Sequence, residues 1–166
     1  MKLRRTLSFA IGALAAFALC SVGAQSRTGS IERNANERLA AATTNIACGI
    51  GGLGDLVTFE ASGGAKGTYH GTFSVAGQAS VDGCRSGTNV FQETFTIQLG
   101  ARTINGSASG SAAWSCAGTM CSVKPNRSWT YEATLVRGLK VLRTFSGSVL
   151  EGGISPDGFD EVLNGI

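Results

Sequence analysis

The chain predicts a mainly β domain: an antiparallel up-and-down meander closing into a small barrel or sandwich, with one N-terminal amphipathic helix packed on it. Three observations predict it. Apolar and polar residues alternate through most of the chain after Gly54, glycine-bearing turns separate the alternating stretches, and four cysteines follow an export leader. Period-two alternation means strands with one buried face and one wet face, which is the pattern of an antiparallel sheet.

The leader opens with Lys2, Arg4 and Arg5, continues as an apolar run from Leu7 to Val22, and ends in the small residues Val22-Gly23-Ala24 where a signal peptidase cuts. The expected organisation is a signal peptide over 1–24 and a single disulfide-stapled β domain over 25–166. The apolar run is shorter than the roughly 20 residues of a spanning helix, so no transmembrane anchor is expected after cleavage. Cys20 leaves with the leader. Leu19 does not suit a lipoprotein site, and Ser8 does not suit a twin-arginine signal, so the expected location is the periplasm or the exterior of a bacterial cell.

Three of the 14 Lys+Arg belong to the leader, leaving 11 against 11 Asp+Glu in a neutral mature chain. Neutrality gives no support to a nucleic-acid footprint or to an electrostatic membrane-surface role. Cys48, Cys84, Cys116 and Cys121 form an even set in an oxidising compartment, so two disulfides are expected, with Cys116–Cys121 across a short loop and Cys48–Cys84 as the preferred pairing. No paired C-x-x-C units and only one histidine argue against a metal, and no cofactor motif is present.

The helix is expected over about 30–48. Ser30 stands as a cap, Ile31, Ala35, Leu39, Ala42 and Ile46 recur at helical spacing, and Gly49, Gly51 and Gly52 end it. The strands follow. Tyr69, Phe73 and Val75 alternate with polar residues over Gly67 to Ala76. Phe91, Phe95, Ile97 and Leu99 do so over Phe91 to Leu99. Ile104, Gly106, Ala108, Gly110, Ala112 and Trp114 form one face of a third strand, and Trp129, Tyr131, Ala133 and Leu135 one face of a fourth. With Asp55 to Ser62, Ser80 to Asp82 and Leu139 to Leu150, seven or eight strands are expected, joined by turns that include Gly63-Gly64-Ala65-Lys66 and Arg137-Gly138. Glycines at Tyr69-His70-Gly71-Thr72, Ile104-Asn105-Gly106-Ser107 and Phe145-Ser146-Gly147-Ser148 suggest strand bends that help a sheet close. In the tail, Phe159, Val162, Leu163 and Ile166 have the spacing of a short helix.

Chemical motifs are sparse. A serine hydrolase needs a histidine held by an acid, and the single His70 falls on a wet face beside Thr72 and Ser74. Glu60, Glu93, Glu132 and Glu151 are the candidates for two-carboxylate hydrolysis. The tail Asp157-Gly158-Phe159-Asp160-Glu161 lacks the alternating ligands of a calcium loop. One placement stands out: Glu93 shares a strand face with Phe91, Phe95 and Ile97, and Arg143 shares one with Val141 and Phe145. If both faces are interior, Glu93 and Arg143 form a buried pair or the polar end of a ligand cavity.

The resulting functional expectation is an exported, non-catalytic β-domain binding protein that meets a protein partner or a small apolar ligand. The alternative is a small secreted hydrolase using a carboxylate pair. A third reading, an eight-stranded outer-membrane barrel, conflicts with outward faces of Thr, Ser and Gln where a lipid-facing band is required.

Overall fold

The computed structural model describes residues 36–51, 54–81, 84–118, 120–125 and 129–166. The expected leader and the first part of the expected helix, with Ser30, Ile31 and Ala35, lie outside them. The described residues form ten strands: β1 Asn36–Ala41, β2 Thr44–Gly51, β3 Gly54–Lys66, β4 Gly71–Val81, β5 Gly87–Leu99, β6 Arg102–Ala117, β7 Met120–Pro125, β8 Thr130–Arg137, β9 Lys140–Ser155 and β10 Gly158–Asn164. All belong to one antiparallel sheet.

Consecutive strands are neighbours from β2 through β6 and from β8 through β10, the meander that the short turns imply. β1 then pairs with both β10 and β3, so the pairings return on themselves as a ring. The result is ring-like without being a regular barrel, because two ring positions are each filled by two short strands in succession. β3 is paired by β2 over Gly54–Ala61 and by β1 at Gly64–Lys66. β6 is likewise paired by β8 over Thr103–Ser109 and by β7 over Ala112–Ala117. Glycines with φ of 70° at Gly100 and 57° at Gly138 make the β5–β6 and β8–β9 turns in a region that side chains disfavour.

The expected helix over 30–48 is corrected. Glu37 and Leu39 are buried while Arg38 and Ala40 are exposed, which is period two. An alanine-rich helix of this length buries little and is marginal in water. The same residues used as β1 satisfy the backbone groups of β10 on one side and β3 on the other, and leave no open edge there. The short tail helix is corrected too. It is β10, and a register shift between Val162 and Leu163 buries both neighbours, which imitates helical spacing. Gly63-Gly64 is not a turn: β3 runs through it, and the backbone of Ala40 and Ala41 lies where a Gly63 Cβ would sit. The turn falls after Lys66, so Tyr69 and His70 precede β4.

The core is aromatic, with Trp129, Tyr131, Phe59, Phe91 and Phe159 among its fully buried side chains. Several of these rings lie on cross-strand glycines. The Phe59 ring occupies the side-chain position of its register partner Gly77, Phe95 that of Gly106, and Trp129 that of Gly110. The Tyr131 ring lies against Gly147 in the same manner. Gly106 and Gly147, expected as bends, thus act as seats that let large rings fit inside a narrow ring of strands.

Cys48 is joined to Cys84 and Cys116 to Cys121, with Cα separations of 5.8 and 4.1 Å. The second bridge links directly opposed residues of β6 and β7. The first spans 36 residues and ties the β2 end to the segment before β5. Loop-closure entropy makes the bridges unequal, about 4 kcal/mol for Cys48–Cys84 against about 2 for Cys116–Cys121. Replacing Cys48 and Cys84 by serine is therefore expected to lower the urea midpoint clearly more than replacing Cys116 and Cys121. Equal losses in the two variants would contradict it.

Candidate functional site

The ring places carboxyl groups where the sequence suggests apolar side chains. Glu93 lies on β5 between the buried Phe91 and Phe95, and is 3% exposed. In register with it stand Gly77 on β4, whose side-chain position the Phe59 ring takes, and the small Ala108 on β6. Glu161 lies on β10 between Phe159 and Leu163 and is fully buried. Its register partners are Leu39 on β1 and Gly152 on β9. Around the ring β5 and β10 are four strand positions apart in either direction, through β6, β8 and β9 or through β4, β3 and β1. Glu93 and Glu161 therefore reach toward each other across the interior, close enough for each to shift the titration of the other.

No N–H or O–H group of the described residues donates to any of the four carboxyl oxygens. A hydrogen bond between the two carboxyls would therefore have to use a proton that the pair itself carries. Burial pushes the Glu93 carboxyl up to about 7, a rise moderated by Glu161. Burial raises Glu161 well above the ordinary range, and the charges of Glu93 and nearby Asp160 raise it further. Both directions favour a pair that retains a proton. Two carboxyls in one dry site cannot both ionise without strong repulsion.

An aromatic layer adjoins the pair: Phe59 lies 6.5 Å from Phe91 and 6.4 Å from Phe159, measured between ring centroids. A third buried acid, Glu37 on β1, accepts a 2.9 Å hydrogen bond from the Tyr69 backbone N–H, and so holds the turn between β3 and β4. Burial raises its pKa, opposed by that hydrogen bond.

The expected Glu93–Arg143 pair is corrected. Arg143 is exposed, with its guanidinium 5.0 Å from the Phe145 ring centroid. Register aligns it with Leu135, Ile104 and Ile97, four residues along β5 from Glu93. At about 3.3 Å per residue, that is too far for an ion pair. Of the other acids considered, Glu60 and Glu132 are exposed on the outer face, and His70 is exposed before β4. The side chain of Glu151 lies outside the described residues. Asp160 points outward and pairs with Arg38 at 2.6 Å, so the tail acids face opposite sides of β10 and cannot converge on a calcium ion. Among the described residues no group of three or more His, Cys, Asp or Glu is arranged to hold a metal.

Sequence reasoning identified Glu93 but missed Glu161 and Glu37. Both alternate in phase with apolar neighbours, Phe159 and Leu163 for one and Leu39 for the other. The helical readings of those two segments concealed it.

The accessible surface has a different chemistry. Thr58, Gln78, Gln92, Thr94, Ser107 and Ser109 line a shallow depression of about 570 Å³ on β3–β6, bordered also by the register row Phe59, Gly77, Glu93 and Ala108. It shares Ser107 with a second one that continues over Asn105, Glu132, Thr134, Thr144 and Ser146. It also shares Glu60 and Thr94 with a third that extends over Asn45, Ser62, Ser74 and Thr96. Cross-strand hydrogen bonds knit this belt, including Thr96 Oγ1 to Asn105 Oδ1 at 3.2 Å and Thr103 Oγ1 to Gln98 Oε1 at 3.1 Å. Comparison with protein-family models, curated proteins and solved structures returned no match to this chain.

Proposed function

We propose that this is an exported, non-catalytic β-domain binding protein that meets a protein partner across the hydroxyl- and amide-rich outer face of β3–β6 and β8. The observation that carries the reading is the separation of chemistry from access. The carboxyls of Glu93 and Glu161 are buried in the aromatic core, 3% and 0% exposed, whereas the open surface is a continuous belt of Ser, Thr, Asn and Gln side chains with Glu60 and Glu132 among them. Short Ser, Thr, Asn and Gln side chains held by cross-strand bonds lose little freedom when a partner binds, which favours recognition by a preformed surface. The two disulfides are compatible with an oxidising compartment, in keeping with export to the periplasm or beyond.

The second reading, a hydrolase, draws on the coupled carboxyl pair itself. A general acid must come within hydrogen-bond reach of its substrate, and groups 3% and 0% exposed do not. A small apolar ligand fits less well, because the interior is taken up by Phe59, Phe91, Phe159, Trp129 and Tyr131.

The test is twofold. Native mass spectrometry of the protein recovered from its host's exported fraction is expected to show no retained small molecule. A photo-crosslinking residue at Gln92 or Ser107 is expected to give one discrete protein adduct in that fraction, and the same residue at the exposed Met120 none. A retained small molecule would return the argument to the interior. Adducts that do not depend on position would remove the sheet-face assignment. Hydrolysis of an envelope substrate abolished by Glu161→Gln in a folded protein would establish the enzyme reading instead.

A further inference from the structure

Bases and acids balance at 11 each after the leader, yet one end of the ring gathers five cations and three exposed aliphatic side chains. The β8–β9 turn carries Arg137, Leu139, Lys140, Val141, Leu142 and Arg143 in near succession. Leu139 is 105% exposed, Val141 58% and Leu142 41%, three of the six exposed large apolar side chains among the described residues. Register brings the β3–β4 and β5–β6 turns to the same end, since Ala65 pairs with Gly71, Leu99 with Arg102 and Arg137 with Lys140. Lys66 and Arg102 therefore join the three cations of the hairpin. The acidic side chain described at this end is Glu37, which is buried. Among the described residues the ion pair is Arg38–Asp160, which takes none of these five cations.

We propose that this hairpin end docks the protein onto an anionic phospholipid surface, with Leu139, Val141 and Leu142 entering the headgroup boundary and Arg137, Lys140 and Arg143 resting on lipid phosphates. The charge complementarity is one-sided: cations unpaired by any described acid surround apolar residues that project beyond the sheet. The shape decides between a membrane and a protein. A convex turn crowned by aliphatics needs a deep pocket in a protein partner but only a yielding interface in a bilayer, and it carries no Trp, Tyr or Met of the kind that anchors protein interfaces. This site is distinct from the sheet face proposed above, so docking by the end would leave that face free.

The experiment uses the folded, disulfide-bonded protein with phosphatidylglycerol–phosphatidylcholine vesicles and with pure phosphatidylcholine vesicles. Expected is co-sedimentation with the anionic vesicles that falls with added salt and is much weaker on the neutral ones. Lys140→Glu and Leu139→Asp are each expected to weaken it about fivefold or more, a roughly 1 kcal/mol charge contribution setting the lower bound for the lysine change. Both positions are exposed, so unchanged melting temperatures are expected to accompany these losses. Leu139→Trp is expected to show fluorescence quenching by brominated phosphatidylglycerol. No binding, or binding that these substitutions leave unchanged, would overturn the proposal. Retention on an acidic polypeptide without vesicle binding would also overturn it, in favour of an acidic protein surface.

Discussion

Raising the pH from about 5 to about 8 is expected to lower the unfolding free energy of this domain, on the order of 3 kcal/mol from Glu93 alone. The sign follows from the direction of the shifts. The Glu93 carboxyl moves from the ordinary 4.5 up to about 7 in the fold, and burial also raises Glu161 well above its ordinary value. Between those values the folded protein holds protons that the unfolded chain has released, so stability falls as pH rises. The contribution of Glu93 is complete below about 4.5 and is lost as pH climbs through about 7, and Glu161, also raised, adds to the loss. Glu37, also raised, acts in the same direction.

Glu93→Gln and Glu161→Gln keep the shape without a titrating proton. Each is expected to flatten the pH dependence and to stabilise the domain at about pH 8, because a neutral amide replaces a group whose ionised form is costly in a dry core. Urea unfolding across that range measures it. A wild-type stability that rises between pH 5 and 8, or variants that retain the full slope, would mean that water reaches the pair. That outcome would reopen the hydrolase reading.

The second large effect concerns the glycine seats. Phe95→Ala is expected to cost about 3–5 kcal/mol, as for removal of a large buried ring. Gly106→Ala is also expected to destabilise, because the Phe95 ring occupies the position of the new Cβ. The informative result is the combination. Without the ring, a Cβ at residue 106 meets open space, and replacing glycine restricts the unfolded chain, worth roughly 0.5–1 kcal/mol. In the Phe95→Ala background, Gly106→Ala is expected to be neutral or stabilising, giving a coupling energy on the order of 2 kcal/mol. Strict additivity in denaturant melts would show that ring and glycine do not share that space. Tyr131 with Gly147 makes a harsher case, since the Asn164 carbonyl also crowds Gly147 and accepts a 2.9 Å hydrogen bond from the Tyr131 hydroxyl.

These pairings explain which parts of the fold were legible. β4, β5, β6 and β8 alternate cleanly because each has one face on the aromatic core and one in water, so Phe91, Phe95, Ile97 and Ile104 were assigned to the interior from spacing alone. The same alternation identified Glu93 as an inward charge. β1 and β10 were misread for a shared reason. Each is short, and their apolar residues fit two periods: Leu39 and Ala42 in one, the bulged Val162 and Leu163 in the other. Helix and strand differ in what they leave unsatisfied, and that depends on neighbours. β1 is a strand because β10 and β3 both present backbone groups to it.

By itself the sequence determined the mainly β class, the meander of the central strands, the pairing of Cys48 with Cys84 and Cys116 with Cys121, and the inward placement of Glu93, because each follows from local periodicity, spacing or composition. The tertiary structure alone decided that Glu93 faces Glu161 and not Arg143, that β1 closes the ring, and that Lys66, Arg102, Arg137, Lys140 and Arg143 gather at one end with Leu139. Those outcomes depend on which strands lie opposite or adjacent. Register and closure are set by long-range pairing, which no local pattern of residues encodes.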